Sequence, residues 1–136
     1  MIRFLLDTNV CIDLLRGNAP GVLRRLERCE VGEIAISTIT LAELQHGVFK
    51  SSDPACNLEA VMDFCAALEI LPFDGQAAEA YGRVRSALER AGTPIGPLDT
   101  LIAAHALAAG CTLVTGNEGE FQRVGGLGVE NWMTPG

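Results

Sequence analysis

MIRFLLDTNV, residues 1–10, is the stretch whose reading decides the fold. Residues 2–6 form a short, mostly apolar run, as expected of a strand buried on both faces of a sheet. The run stops at Asp7, and Thr8-Asn9 lead into Val10, Cys11, Leu14 and Leu15 at helical spacing. A strand that ends on a carboxylate and turns into a helix is the α/β geometry in which ligands gather at the carboxyl ends of strands. On this stretch alone two roles are equally open: capping the helix that follows, or chemistry.

Working outward, the first helix should run to about residue 16 and stop at Gly17-Asn18. Pro20 suits the first turn of a second helix, with Val22, Leu23 and Leu26 apolar and Arg24, Arg25 and Arg28 forming a basic face. Residues 33–37 read as a second strand. Residues 38–50 read as a helix with Leu41, Leu44 and Val48 on one face, followed by a loop over 51–54. Leu58, Val61, Met62, Cys65 and Leu68 then recur at helical spacing. Residues 69–72 read as a third strand, placed near an edge by Pro72.

Asp74 should cap a long helix to about residue 90, with Ala77, Tyr81, Val84 and Leu88 facing inward. A Gly- and Pro-rich loop over 92–97, too short for a domain linker, precedes an alanine-rich helix over 98–109 that Gly110 ends. Residues 111–115 give a fourth strand and 127–130 a fifth. Strands alternating with helices predict an α/β fold: a three-layer α/β/α sandwich around a central, mainly parallel sheet of four or five strands. Residues 1–136 read as a single domain.

The composition, 49% hydrophobic and 20% charged, is that of an ordered globular chain. The most apolar stretch, 101–114, is interrupted by His105 and Gly110, and the N-terminus lacks the pattern of a signal peptide. The expectation is a soluble cytoplasmic protein with no membrane partner. The 5 cysteines are odd in number and scattered, without a CxxC pair, which favours reduced, mostly buried thiols over a zinc site or a disulfide framework. A net charge of −7 argues against broad electrostatic adhesion to nucleic acid, yet acids that ligate cations turn a negative pocket into a phosphate-accepting one.

Several acids share one topological feature, lying near a strand end or the opening of a helix: Asp7, Glu43, Asp99, Glu118 and Glu120. In a parallel sheet these places can face the same edge of the domain. Each has an ordinary alternative. Thr40-Leu41-Ala42-Glu43 is a capping-box pattern, Asp99 beside Pro97-Leu98 suits the helix dipole, and Glu118 and Glu120 suit a solvated loop. Taken together these alternatives leave the recurrence of carboxylates at one edge unexplained. Converging carboxylates repel until a proton or a cation relieves them. An all-oxygen cluster suits Mg²⁺ or Mn²⁺ rather than zinc and can serve phosphodiester hydrolysis. Thr115 and Asn117 are placed to orient a water or a carboxylate beside such a cluster.

Five motifs stand in order along the chain: LLDTN at 5–9, TLAEL at 40–44, YGRVRSALERAGTPIGPLDTLIAAHAL at 81–107, LVTGNEGEF at 113–121 and VENW at 129–132. In these the sequence resembles a PIN-domain ribonuclease, specifically a VapC-type toxin of a type II toxin–antitoxin system. The resemblance covers nearly the whole chain. It implies a PIN-like sheet between helices and Mg²⁺-dependent endoribonuclease activity, with Mn²⁺ able to substitute. The metal-binding and catalytic acids would be Asp7, Glu43, Asp99 and Glu120. Thr115, Asn117 and Asn9 would lie around them. The resemblance also implies a homodimer, inhibition by a cognate VapB-type antitoxin, and structured RNA as substrate, initiator transfer RNA by likeness to the enteric toxins. Products would carry a 5′-phosphate and a 3′-hydroxyl. One departure stands out. Similar toxins read Thr-Asn-Asn after the fourth strand, whereas this chain has Thr115-Gly116-Asn117, and a glycine there should loosen the backbone beside the fourth acid.

Two other readings compete. A phosphatase with a nucleophilic aspartate wants a second acid two residues on, where Asn9 stands. A catalytically silent RNA- or protein-binding module is disfavoured by the presence of Asp7, Glu43 and Asp99 together. His46 and His105 read as surface or satisfied histidines rather than general bases. Arg85 can reach phosphate or pair with Glu89 four residues on. Phe121 and Trp132 read as packing residues.

Overall fold

A computed structural model describes residues 1–133. In chain order the strands are β1 (Phe4–Leu6), β2 (Ile34–Ser37), β3 (Glu69–Leu71), β4 (Thr112–Val114) and β5 (Val129–Glu130). The helices are α1 (Thr8–Leu15), α2 (Pro20–Glu27), α3 (Thr38–Phe49), α4 (Pro54–Ala66), α5 (Gly75–Arg90), α6 (Pro97–Ala109) and α7 (Glu118–Phe121).

Alternation along β1 explains its continuous apolar run. Phe4 and Leu6 pack on one face of the sheet with Ile34, Ile36, Val10, Val22, Val48 and Val61. Leu5 packs on the other with Ala35, Leu113, Val84, Leu88 and Ile102. Helices α1 to α4 supply the first layer and α5 and α6 the second, so the expected three-layer sandwich forms around a five-stranded sheet. Every strand pairing is parallel, in the order β3-β2-β1-β4-β5.

From β1 the chain first moves outward through β2 to β3, then returns to place β4 on the other flank of β1. The order therefore reverses between β1 and β4, which opens a crevice beyond their carboxyl ends. Asp7 follows β1 and Thr115 follows β4, with Leu6 opposite Val114 in the register. β3 lies at an edge, as Pro72 predicts.

Some boundaries differ from the sequence reading. Residues 53–54 open α4 instead of lying in a loop: Asp53 Oδ1 accepts from the Cys56 N–H at 3.2 Å and Pro54 takes the first helical position. Glu118 and Glu120 sit on the one-turn helix α7 rather than in a loop. Gly110 ends α6 in the left-handed conformation, φ 69°. Cys11 and Cys111 are buried and Cys29 and Cys65 partly so, but Cys56 is exposed on the outer side of α4, and all five are free thiols. Among the described residues no helix is long and apolar enough to cross a membrane.

Residues 130–132 are pinned against β1. Trp132 is buried, meets the Phe4 ring edge-on at 4.8 Å between centroids, and donates its indole N–H to Glu130 Oε1 at 2.9 Å. Arg25 lies over the same indole at 4.9 Å and pairs with Glu130 at 3.2 Å. One member of the basic face on α2 is thus spent on holding this segment. Trp132→Ala should lower unfolding free energy by about 3–5 kcal/mol in urea titrations, whereas Arg25→Ala should cost under about 1 kcal/mol because its ion pair is largely solvated.

Candidate active site

Asp7 is buried and occupies the N-cap of α1, where Oδ1 accepts from the Val10 N–H at 2.8 Å. Capping and site chemistry are not alternatives here, because the second oxygen, Oδ2, accepts from the Thr115 hydroxyl. Thr115 Oγ1 in turn accepts from the Asn117 N–H at 2.9 Å. Burial pushes the Asp7 carboxyl above its ordinary pKa, the Thr115 and Val10 hydrogen bonds pull it back, and the Asp13 and Glu43 carboxylates push it up again.

Glu43 reaches the same place from α3. The capping-box alternative fails, because α3 begins at Thr38 as its sequence pattern predicts. Ser37 is its N-cap and accepts from the Ile39 N–H at 3.0 Å. Glu43 therefore lies beyond the first turn and turns toward α1, where Thr8 Oγ1 donates to its Oε1 at 2.7 Å. Thr8 Oγ1 also lies 3.1 Å from Thr40 Oγ1.

Asp99 stands in the first turn of α6, just past Pro97. Its carboxyl is pushed up from 3.8 to about 6, first by burial, then by the Glu120 charge, and further by Asp7, by a direct hydrogen bond with Glu120, and by Glu43. Two carboxylates in hydrogen-bonding contact hold a proton between them or repel. Glu120 is steadied by Asn117, whose Nδ2 donates to its Oε2 at 2.9 Å. Glu118 points elsewhere and accepts from Asn131 Nδ2 at 3.0 Å. Of the two glutamates on α7, it is Glu120 that meets Asp99.

Among the described residues, no Lys or Arg forms an ion pair with Asp7, Glu43, Asp99 or Glu120. Nor are any three His, Cys, Asp or Glu side chains there already spaced to hold one ion. The four acids interact across one sheet edge without forming a ready cage.

Asn9 makes no side-chain hydrogen bond to these acids. It stands exposed on the ridge between two clefts and lines both. The larger, about 760 Å³, runs from Thr8 and Glu43 between α1, α3 and α4 past Arg16, His46 and Lys50. The smaller, about 490 Å³, lies on the other side of Asp7 and is lined by Asp13, Asn117 and Met133.

The sequence reading missed Thr8 and Asp13. Thr8 carried a signal, as a hydroxyl beside the key acid at the start of a helix. Asp13 carried none, because only the turn of α1 brings it toward Asp7. His46 is exposed, while His105 is buried with Nδ1 2.8 Å from Ser37 Oγ. Arg85 pairs with Glu89 at 3.4 Å and donates to Tyr81 Oη at 2.9 Å.

Residues 4–127 match the PIN domain. The chain belongs to the PIN-domain family. Within it the similarity extends to the VapC proteins. The tRNA(fMet)-specific endonuclease VapC of Shigella flexneri is 42% identical over 132 residues, covering 97% of this chain and 99% of that one. Among solved structures, DNA-bound VapBC from Salmonella typhimurium matches with a TM-score of 0.93 and 42% identity, covering 97% of this chain and 99% of its counterpart. VapBC2 from Rickettsia felis, bound to a DNA fragment from their promoter, matches with a TM-score of 0.91 and 41% identity, over the same 97% and 99%. The five-stranded parallel sheet between helices is thus the PIN-domain fold.

The raised Asp99 carboxyl has a thermodynamic consequence. Unfolded, the group titrates near 3.8, and folded near about 6, so the native chain holds the proton more tightly between these values. Stability must fall as pH rises through that window and stay lower above it. In metal-free buffer, Asp99→Asn should therefore raise Tm relative to wild type at about pH 8, and the difference should close below about pH 4. Paired thermal melts with chelator present check this.

Proposed function

We propose that this chain is a VapC-type toxin: an endoribonuclease that depends on a divalent metal, hydrolyses phosphodiester bonds in structured RNA, and is neutralised by a cognate VapB-type antitoxin. Likeness to VapC proteins named as ribonucleases and as tRNA(fMet)-specific endonucleases supports the activity and makes initiator transfer RNA the first substrate to test. Likeness to VapBC complexes supports the antitoxin. A homodimer follows as the assembly to expect.

The observation that carries the metal reading is the contact between the Asp99 and Glu120 carboxylates, with Asp7 and Glu43 adding to the same repulsion. An all-oxygen, negatively charged donor set fits a hard divalent cation, Mg²⁺ with Mn²⁺ as substitute. Asp7, Glu43, Asp99 and Glu120 are the residues that would hold it. When bound, such an ion supplies positive charge at the phosphodiester and acidifies a water.

The chain's own groups have defined tasks beside it. Thr115 fixes the rotation of the Asp7 carboxylate, leaving the acid little freedom to turn from the crevice. Thr8 does the same for Glu43, and Asn117 for Glu120. Asn9 stands on the ridge between the clefts, where its unspent amide can meet RNA. Water rather than the ribose 2′-hydroxyl is the nucleophile in this reading, so products carry a 5′-phosphate and a 3′-hydroxyl.

The test uses purified, antitoxin-free protein with total RNA, in Mg²⁺ or EDTA, beside Asp7→Asn. Discrete fragments that need Mg²⁺ and vanish in the variant are expected. Equal RNA retention by both proteins without cutting would instead identify a binding module that has lost turnover. End-labelling of the fragments checks the 5′-phosphate. Glu120→Gln should slow cleavage by about tenfold or more, whereas Glu118→Gln should stay within about twofold of wild type, since only the first meets Asp99.

A further inference from the structure

His105 is fully committed to contacts that lie outside the acid cluster yet join the elements that carry it. It is buried on α6. Its Nδ1 lies 2.8 Å from Ser37 Oγ, at the end of β2. Ser37 Oγ already accepts from the Ile39 N–H at 3.0 Å, so the serine's own proton is available for the ring. The Pro72 carbonyl, just after β3, faces the ring and favours its protonated form. A neutral imidazole with its proton on Nε2 leaves Nδ1 free to accept from Ser37. Phe73 closes the remaining side edge-on at 5.3 Å, while its own N–H donates to Thr38 Oγ1 at 3.1 Å. Burial favours the neutral ring, opposed by the Asp74 carboxylate.

The placement of this pair relative to the acids gives it consequence. Asp99 lies six residues before His105 on α6, and Glu43 lies six residues after Ser37 on α3. One side-chain hydrogen bond thus ties the two acid-bearing helices at matched distances from their acids.

We propose that His105 is a positioning residue: by accepting the Ser37 proton it holds the N-cap of α3 to α6, and so sets the separation of Glu43 from Asp99. The inference rests on the metal-dependent reading above, and it assigns a task to a histidine outside the candidate acids. A general base is not required of it. The ring touches Ser37, Pro72 and Phe73, and its separation from Asp99 along α6 is that of a support, not of a group in the reaction.

The test compares three replacements at one site. His105→Phe keeps the ring and its packing on Phe73 but deletes the bond. His105→Asn places an oxygen where Nδ1 stands and restores an acceptor for Ser37. His105→Gln places its polar atoms one bond further out and does not. Circular dichroism first confirms that each variant is folded at the assay temperature.

His105→Phe should weaken Mn²⁺ binding by calorimetry about tenfold or more and lower kcat for RNA by a similar factor, with KM changed less than about twofold. His105→Asn should recover most of both losses, and His105→Gln should not. Ser37→Ala should reproduce His105→Phe, and the double variant should be no worse than either single one. Amide exchange at Ile39 should accelerate in His105→Phe and return toward wild type in His105→Asn.

The proposal is overturned if His105→Phe binds Mn²⁺ and cleaves as wild type does. It is equally overturned if Asn and Gln behave alike, or if the Ser37 and His105 losses add. Should wild type bind no Mn²⁺, the metal reading of the acids fails, and Ile39 exchange still decides whether the histidine governs the α3 cap: unchanged exchange in His105→Phe rejects it.

Discussion

A single carboxylate, that of Asp7, ties three elements together, and the candidate site is built on that tie. One oxygen caps α1, the other takes the Thr115 hydroxyl proton, and the residue's own N–H donates to the Val114 carbonyl at 3.0 Å. The ends of β1 and β4 are therefore joined where strand order reverses, the one place in this topology where a crevice opens between neighbouring strands. The register that pairs Leu6 with Val114 is what sets Asp7 beside Thr115. A slip of one residue would send Leu5 and Leu6 to the wrong faces, so the hydrophobic core and the site enforce the same alignment.

Gathering carboxylates at one edge costs stability, and the architecture offsets this in two ways. β1 and β2 are buried along their whole lengths, which lets strands of only three and four residues anchor both layers. The acids also sit mostly where helices favour negative charge: Asp7 at the N-cap of α1, Asp99 in the first turn of α6, Glu120 in α7. Glu43 is the exception. Lying past the first turn of α3, it gains little from the helix end and relies on the Thr8 hydroxyl instead. That difference makes the placement of α3 as a body, and not its local capping, the quantity that governs where Glu43 points.

The layer order and the edge position of β3 were legible because they rest on period and punctuation: a run buried on both faces, Pro72, Gly110. The approach of Asp7, Glu43, Asp99 and the two glutamates after β4 to one edge was legible too, since a parallel sheet sends successive strand ends the same way. What stayed hidden depends on a single turn of helix. Thr40-Leu41-Ala42-Glu43 imitates a capping box; the helix start at 38 was legible, but the N-cap at Ser37 that decides against the imitation was not. Asp13 approaches Asp7 through the pitch of α1, which spacing alone does not report. Spacing alone left Glu118 and Glu120 both open; the resemblance pointed to Glu120, and the interaction of Asp99 with Glu120 and the tie of Glu118 to Asn131, thirteen residues downstream of it, agree.

Gly116 lies on the rim of the smaller cleft, next to the residue whose amide holds Glu120. The expectation was that glycine loosens the backbone beside the fourth acid. Yet Gly116 is not among the glycines with positive φ, and Asn117 next to it still holds Glu120 at 2.9 Å. A Cβ at 116 would stand 3.4 Å from Met133 Cγ, an ordinary contact with a flexible side chain. Met133 belongs to the segment that Trp132 anchors under Phe4 and that Asn131 ties to Glu118. Gly116, Asn117 and Met133 line the smaller cleft together, beside Asp7. Met133 thus forms part of the wall of that cleft, next to the Trp132 anchor against Phe4.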